Sequence, residues 1–223
     1  MGPDRPDPGD LRGTAMTASM STSTADVRGV RRDPRASQRD FRVLLDVLSR
    51  PGRIGRLAVT PGTPAATIPV AGLADVEVPL AVLPGDGGQE WARALRVATG
   101  APAAEPEAAR LVLALRPLTP AEIGALPRGD ALHPELGARL VQAVDALLPG
   151  AQAAPGDTVL TLEGPGIDGR AVLAVRGFGA DAARALAAAN AGFPAGIDTF
   201  LVAPDGAVAG LPRSTRITLE GEG

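Results

Sequence analysis

Apolar residues recur along this 223-residue chain in two rhythms, one helical and one extended, and Gly and Pro clusters separate them. Phe41, Leu44, Leu45 and Leu48 fall at helical spacing until Pro51-Gly52 stops the run, and Ser37 with Asp40 three residues later reads as a capping-box-like start. The apolar face of this helix can bury in a core or dock on a partner, and the core is the simpler fate. Two extended segments follow, Ile54 to Val59 and Val76 to Leu83. Pro79 in the second excludes a central ladder position, so it reads as an edge or bulged strand. Trp91, Ala94, Leu95 and Ala98 share a helix face that ends at Gly100. Leu111 to Leu115 reads as a buried strand. Thr119-Pro120-Ala121-Glu122 places an N-cap, an N1 proline and an N3 carboxylate where a short helix wants them. Further strands are predicted at Thr158 to Leu162, Arg170 to Val175, Ile197 to Val202, Ala207 to Leu211 and Thr215 to Leu219, with an Ala-rich helix over Asp181 to Asn190 and a hairpin turn at Pro204-Asp205-Gly206. Helices interspersed among strands predict an α/β sandwich. Leu136, Leu140, Val144, Leu147 and Leu148 also fit a helix by spacing alone.

A chain of this length can form one ordinary domain. Its composition changes the picture mainly through what is missing. All 22 basic residues are Arg, and with no Lys there is no internal Schiff base to pyridoxal phosphate, no P-loop lysine and no lysine general base. A GC-rich coding bias explains the substitution of Arg for Lys, and the chemical exclusion holds either way. With no Cys, thiolate nucleophiles, disulfides, thiolate zinc sites and cysteine-held clusters are excluded as well. The one His, His133, precedes Pro134 in a polar loop and reads as a solvated turn residue. Four Phe, one Trp and no Tyr leave little surface for stacking bases.

Charge is uneven. Residues 1–53 hold ten Arg against seven Asp, so they carry +3 of a net charge of −3 and leave −6 to the rest. Arg28, Arg31, Arg32, Arg35 and Arg39 could touch nucleic acid, but Asp26, Asp33 and Asp40 are interspersed and no aromatic precedes Phe41. Residues 1–36 therefore read as a disordered or partly ordered leader, 37–223 as the domain, and no nucleic-acid partner is expected. The first residues lack an apolar signal region and no membrane segment is visible, so a cytoplasmic location without membrane association is expected.

Gly164-Pro165-Gly166-Ile167-Asp168-Gly169 satisfies a GxGxxG pattern after a strand. The sequence that follows is Val-rich and β-like rather than helical, and Pro165 removes an amide, so a strand-to-strand turn is the better reading. Phe193-Pro194-Ala195-Gly196-Ile197-Asp198 and Leu211-Pro212-Arg213-Ser214-Thr215 each set a charged group beside a fixed turn. Asp198 and Arg213 either lock those turns through an ion pair or backbone bonds, or Arg213 reads an anion together with the Ser214 and Thr215 hydroxyls. Arg50, Arg53 and Arg56 could add positive charge.

These segments, in this order, resemble the H subunit of the bacterial carbon–phosphorus lyase system, the PhnH family, which carries a GPGI turn, an FPxGID segment and a terminal PR(S/T)T run. Ser49-Arg50-Pro51-Gly52 resembles the family's SxPG exit from its opening helix, and Pro134-Glu135-Leu136-Gly137-Ala138 its PExGA element. The resemblance covers about Ser37 to Glu220. It implies a strand running out of the PExGA turn, in place of the helix that spacing alone allows at 136–148. It also implies a three-layer α/β sandwich with a mixed sheet, like the fold of pyridoxal-phosphate-dependent transferases but without that cofactor or any other. The implied protein is a homodimer that associates with the G, I and J subunits and is linked functionally to L. With G, I and L the family supports formation of ribose 1-methylphosphonate 5-triphosphate from MgATP and methylphosphonate, and no catalytic residue carries over. From the residues alone, the other reading is a small stand-alone enzyme or binding protein for a phosphorylated metabolite that uses Asp198 and Arg213.

Overall fold

The computed structural model describes residues 24–85 and 88–219. It opens with α1 (Thr24–Val30) and α2 (Pro34–Ser49). Helix α2 starts three residues before the predicted cap because Asp33 is a better one: its Oδ1 accepts from the backbone N–H of Arg35 and of Ala36, both at 2.9 Å, and Pro34 takes the first helical position. Asp40 is turned inward instead, where Arg32 binds it through Nε at 2.9 Å and Nη2 at 2.7 Å. Val30 is 2% exposed. Residues 24–36 of the expected leader thus include a helix, a buried side chain and one half of a buried ion pair.

Strand β1 (Ile54–Arg56) precedes α3 (Thr67–Leu73), a helix that the pattern does not predict. Its sequence, TIPVAGL, contains Pro69 and Gly72, both poor helix formers. Pro69 lies in the first turn, where a missing N–H costs nothing, and burial of Thr67, Ile68, Pro69 and Val70 carries the helix. After these come β2 (Leu80–Leu83), α4 (Gln89–Thr99), the fully buried β3 (Leu111–Ala114) and α5 (Pro120–Ala125). The span 136–148 then forms β4 (Arg139–Ala143) and β5 (Ala146–Pro149). Helical spacing misleads there because β4 lies inside a sheet with both faces covered. Its consecutive Leu140, Val141 and Gln142 are all buried, and the period-two signal of a half-exposed strand is absent. The chain ends with β6 (Thr158–Glu163), β7 (Ala171–Arg176), α6 (Ala180–Ala189), β8 (Asp198–Val202), β9 (Ala207–Leu211) and β10 (Arg216–Leu219).

Six strands form a mixed sheet in the order β1-β9-β8-β4-β3-β2. Strands β2, β3, β4 and β8 run parallel, while β9 and β1 continue antiparallel. The Pro79 segment is an edge, as expected for a residue that cannot donate to a ladder. A second, wholly antiparallel sheet has the order β10-β6-β7-β5. One face of the large sheet, with Leu111, Leu113, Val141 and Phe200, packs in a cluster with residues of α1 to α4. The other face, with Val112, Leu140 and Leu201, packs with α5, α6 and the small sheet. The apolar core is therefore double, one half on each face of the mixed sheet.

Candidate functional site

The GPGI turn joins β6 to β7 as an antiparallel hairpin, with Gly164 at φ 137° and Gly166 at φ 83°. No helix follows these glycines, so they offer no N-terminal amides to a pyrophosphate. The conformation is needed for contact instead. A Cβ on Gly166 would collide with the Ser49 carbonyl oxygen at the exit of α2, and one on Gly164 would lie 2.9 Å from the Ser214 carbonyl oxygen. The hairpin thereby touches the SRPG exit on one side and the PRST run on the other.

Arg213 extends the contact to the remaining segments. Its Nε and Nη2 donate to Asp198 Oδ1 and Oδ2 at 3.2 and 2.8 Å, and its backbone N–H donates to Oδ1 at 2.9 Å. Its Nη1 donates to the Pro134 carbonyl at 2.5 Å and the Pro194 carbonyl at 3.5 Å. The two side chains are 13% and 19% exposed. Close packing leaves no room for larger residues nearby: a Cβ on Gly137 would sit 2.5 Å from the Gly196 carbonyl oxygen and 2.7 Å from Arg213 Nη1. The strand ends complete the connection, with Asp198 N–H donating to the Ala138 carbonyl and Gly196 N–H to that of Arg128. Five segments distant in sequence, 49–52, 134–138, 164–167, 193–198 and 212–215, thus meet in a continuous series of close contacts.

Asn190, which the sequence reading passes over, belongs to this arrangement. Its Oδ1 accepts from Ile197 N–H at 2.7 Å and its Nδ2 donates to the Ile197 carbonyl at 3.1 Å, tying the end of α6 to the start of β8. The available signal was an Asn closing an Ala-rich helix, where αL-tolerant, hydrogen-bonding residues collect.

Other charged candidates have local partners. Arg50 and Arg53 pair with Asp46, and Arg56 with Asp205. The backbone N–H of Ala207, and after it the Arg56 guanidinium, hold Asp205 below the ordinary carboxylate range. His133 is exposed, with Nδ1 3.6 Å from Asp130. Among the described residues, no group of three or more His, Cys, Asp or Glu side chains is placed to hold a metal ion, and no helix is long and apolar enough to cross a membrane.

What the five segments share is therefore one structural junction, built from conformationally restricted turns around an Arg–Asp pair. No curated protein matches the chain. The profile of the family described as bacterial phosphonate metabolism protein (PhnH) matches residues 28–218, which takes in all five segments as well as Arg32 and Asp40. By that match, and with its motifs joined in space as they are in order, the chain belongs to the PhnH family of bacterial phosphonate metabolism proteins.

Proposed function

We propose that the protein is an accessory subunit of the carbon–phosphorus lyase assembly in the cytoplasm, non-catalytic by itself. It acts there with the G, I and J subunits, and with L, in forming ribose 1-methylphosphonate 5-triphosphate from MgATP and methylphosphonate. Membership of a phosphonate metabolism family supports the process. The observation that carries the subunit role is how the junction uses its polar groups. Four of the five guanidinium N–H groups of Arg213 and both oxygens of Asp198 are engaged within the chain, so the most distinctive charged residues of the motifs hold loops together rather than standing free for chemistry. Residues spent on shaping a surface suit a protein whose work is done by association.

Under the same reading, the layered α/β arrangement corresponds to the three-layer sandwich of pyridoxal-phosphate-dependent transferases, with the cofactor lost. The functional unit is a homodimer. Loss of the cofactor agrees with the lack of Lys.

Reconstitution tests the proposal. The purified chain should release no adenine from MgATP and methylphosphonate, while adding it to the G, I and L subunits should be required for the exchange. Steady adenine release by the isolated chain, or exchange that proceeds equally without it, would refute the subunit role.

A further inference from the structure

Beside the junction, α6 and the start of β10 enclose a cavity of about 350 Å³, within the size range of small-molecule sites. Its wall is divided by chemistry. Ala187, Ala191, Phe193 and Ile217 make an apolar side, whereas Asn190, Arg213, Ser214, Thr215 and Arg216, all residues with polar or cationic side chains, make the other. Phe193 is 65% exposed although it is a large aromatic side chain. Thr215 is buried, and its Oγ1 has no hydrogen-bond partner. A buried hydroxyl left unpaired is uncommon and costs free energy, so it calls for an explanation. Among the described residues, two other orphan atoms, Gln142 Oε1 and Thr199 Oγ1, lie on strands of the central sheet. Thr215 differs in lining a cavity that also holds cationic groups.

We infer that this cavity binds a small organic oxyanion of the R–PO₃ type, its short apolar substituent against Phe193 and Ile217 and its oxygens towards the hydroxyls and guanidinium groups of residues 213–216. The ligand class rests on the phosphonate reading; the place and polarity of the site rest on the cavity. Arg213 keeps one Nη2 N–H beyond its bonds to Asp198, Pro134 and Pro194. Arg216 pairs with Glu163 at the surface, with the arginine side chain 73% exposed, and an exposed pair of this kind contributes little and can be exchanged for a ligand contact. Asp198 and Glu163 reduce the positive potential, so recognition depends on hydroxyl hydrogen bonds and apolar contact as much as on charge.

Titration of the full chain with methylphosphonate, followed by calorimetry and by the shift in melting temperature, tests the inference, with inorganic phosphate as the comparison. Methylphosphonate should bind at least about fivefold more tightly than phosphate, and Thr215→Val and Phe193→Ala should each weaken it by about fivefold or more. Phe193→Ala alters an exposed side chain, so it keeps the test valid if Thr215→Val unfolds the protein. Equal binding of the two anions, or unchanged methylphosphonate affinity in both variants, would overturn the site. If the chain supports adenine exchange with the other subunits but does not bind methylphosphonate, the site is wrong and the subunit role stands. If it binds but exchange proceeds without it, the site stands and the subunit role fails.

Discussion

Arg213 shows how a single side chain can join segments of a fold that are far apart in sequence. It satisfies a carboxylate and two carbonyls from two segments, 134–138 and 193–198, and a planar guanidinium with five fixed donors is the side chain suited to that. Arg213→Ala should lower stability by about 1–3 kcal/mol, because Asp198 and the Pro134 carbonyl lose their charged partner while largely buried. Urea denaturation measures this, and an unchanged midpoint would remove Arg213 from its structural role. Arg213→Lys should recover only part of the loss, since an ammonium cannot span Asp198 and both carbonyls. The sequence identified this residue and its partner Asp198 but not the Pro134 and Pro194 carbonyls, because backbone acceptors leave no trace in residue identity.

At the scale of elements, an ion pair at the start of one helix and a buried ion pair within another each contribute to stability. In α5, Thr119 Oγ1 accepts from the Glu122 backbone N–H while Glu122 Oε2 accepts from Thr119 N–H, a reciprocal cap legible in the sequence. Arg116 closes on Glu122 through both terminal nitrogens at 2.6 and 3.1 Å. The Arg116 hydrogen bonds, and after them the Thr119 N–H, hold the Glu122 carboxyl down from 4.5 to about 2. A depressed carboxyl contributes stability that is fully present above about pH 4.5 and is lost as pH falls towards 2. Both side chains are about one-third exposed, so screening reduces the contribution to about 1 kcal/mol. Glu122→Gln should therefore destabilise the protein by that amount at pH 7, and the gap from the parent should narrow across that acidic window. A gap independent of pH would exclude the ion pair as its source. In α2, Asp40→Ala should cost about 3 kcal/mol by leaving Arg32 unpaired at a site where both side chains are about nine-tenths buried. Thermal unfolding decides it. A loss below about 0.5 kcal/mol would return the segment before Ser37 to the solvated leader suggested by its charge pattern.

At the scale of the whole molecule, the mixed sheet separates two cores, and the motif junction connects the exit of α2 on one side to the β6–β7 hairpin of the small sheet on the other. Gly166→Ala should disturb that connection more than an ordinary surface turn, because the added Cβ meets the Ser49 carbonyl and φ is positive. We expect a loss of about 2 kcal/mol or more in thermal unfolding, whereas Gly169→Ala, also at positive φ but with nothing near its Cβ, should lose about 1 kcal/mol. Equal losses would mean that backbone strain alone, not the contact with α2, requires the glycine. Light scattering should give a dimer for the intact chain, and a monomer at all concentrations would count against the homodimeric unit.

The sequence alone determined most of the element order and the excluded chemistry. Local signals suffice for both: proline at an edge strand, Thr119 and Glu122 at a cap, glycine at turns, and the lack of Lys and Cys. It also carried the family resemblance, since five short segments in order need no coordinates. It left the locking and ligand-binding roles of Arg213 open, because both use the same residue types in the same loop. Tertiary structure decided what depends on distant parts of the chain. Burial on both faces made 139–143 a strand against its helical spacing, and packing made a helix of the Pro- and Gly-containing 67–73. An inward-facing Asp40 drew Arg32 out of the expected leader and into the fold. The GPGI glycines, read locally as a turn, proved to be where the α2 exit and the PRST run come within contact, since the cost of a Cβ is set by whatever the rest of the chain places beside it.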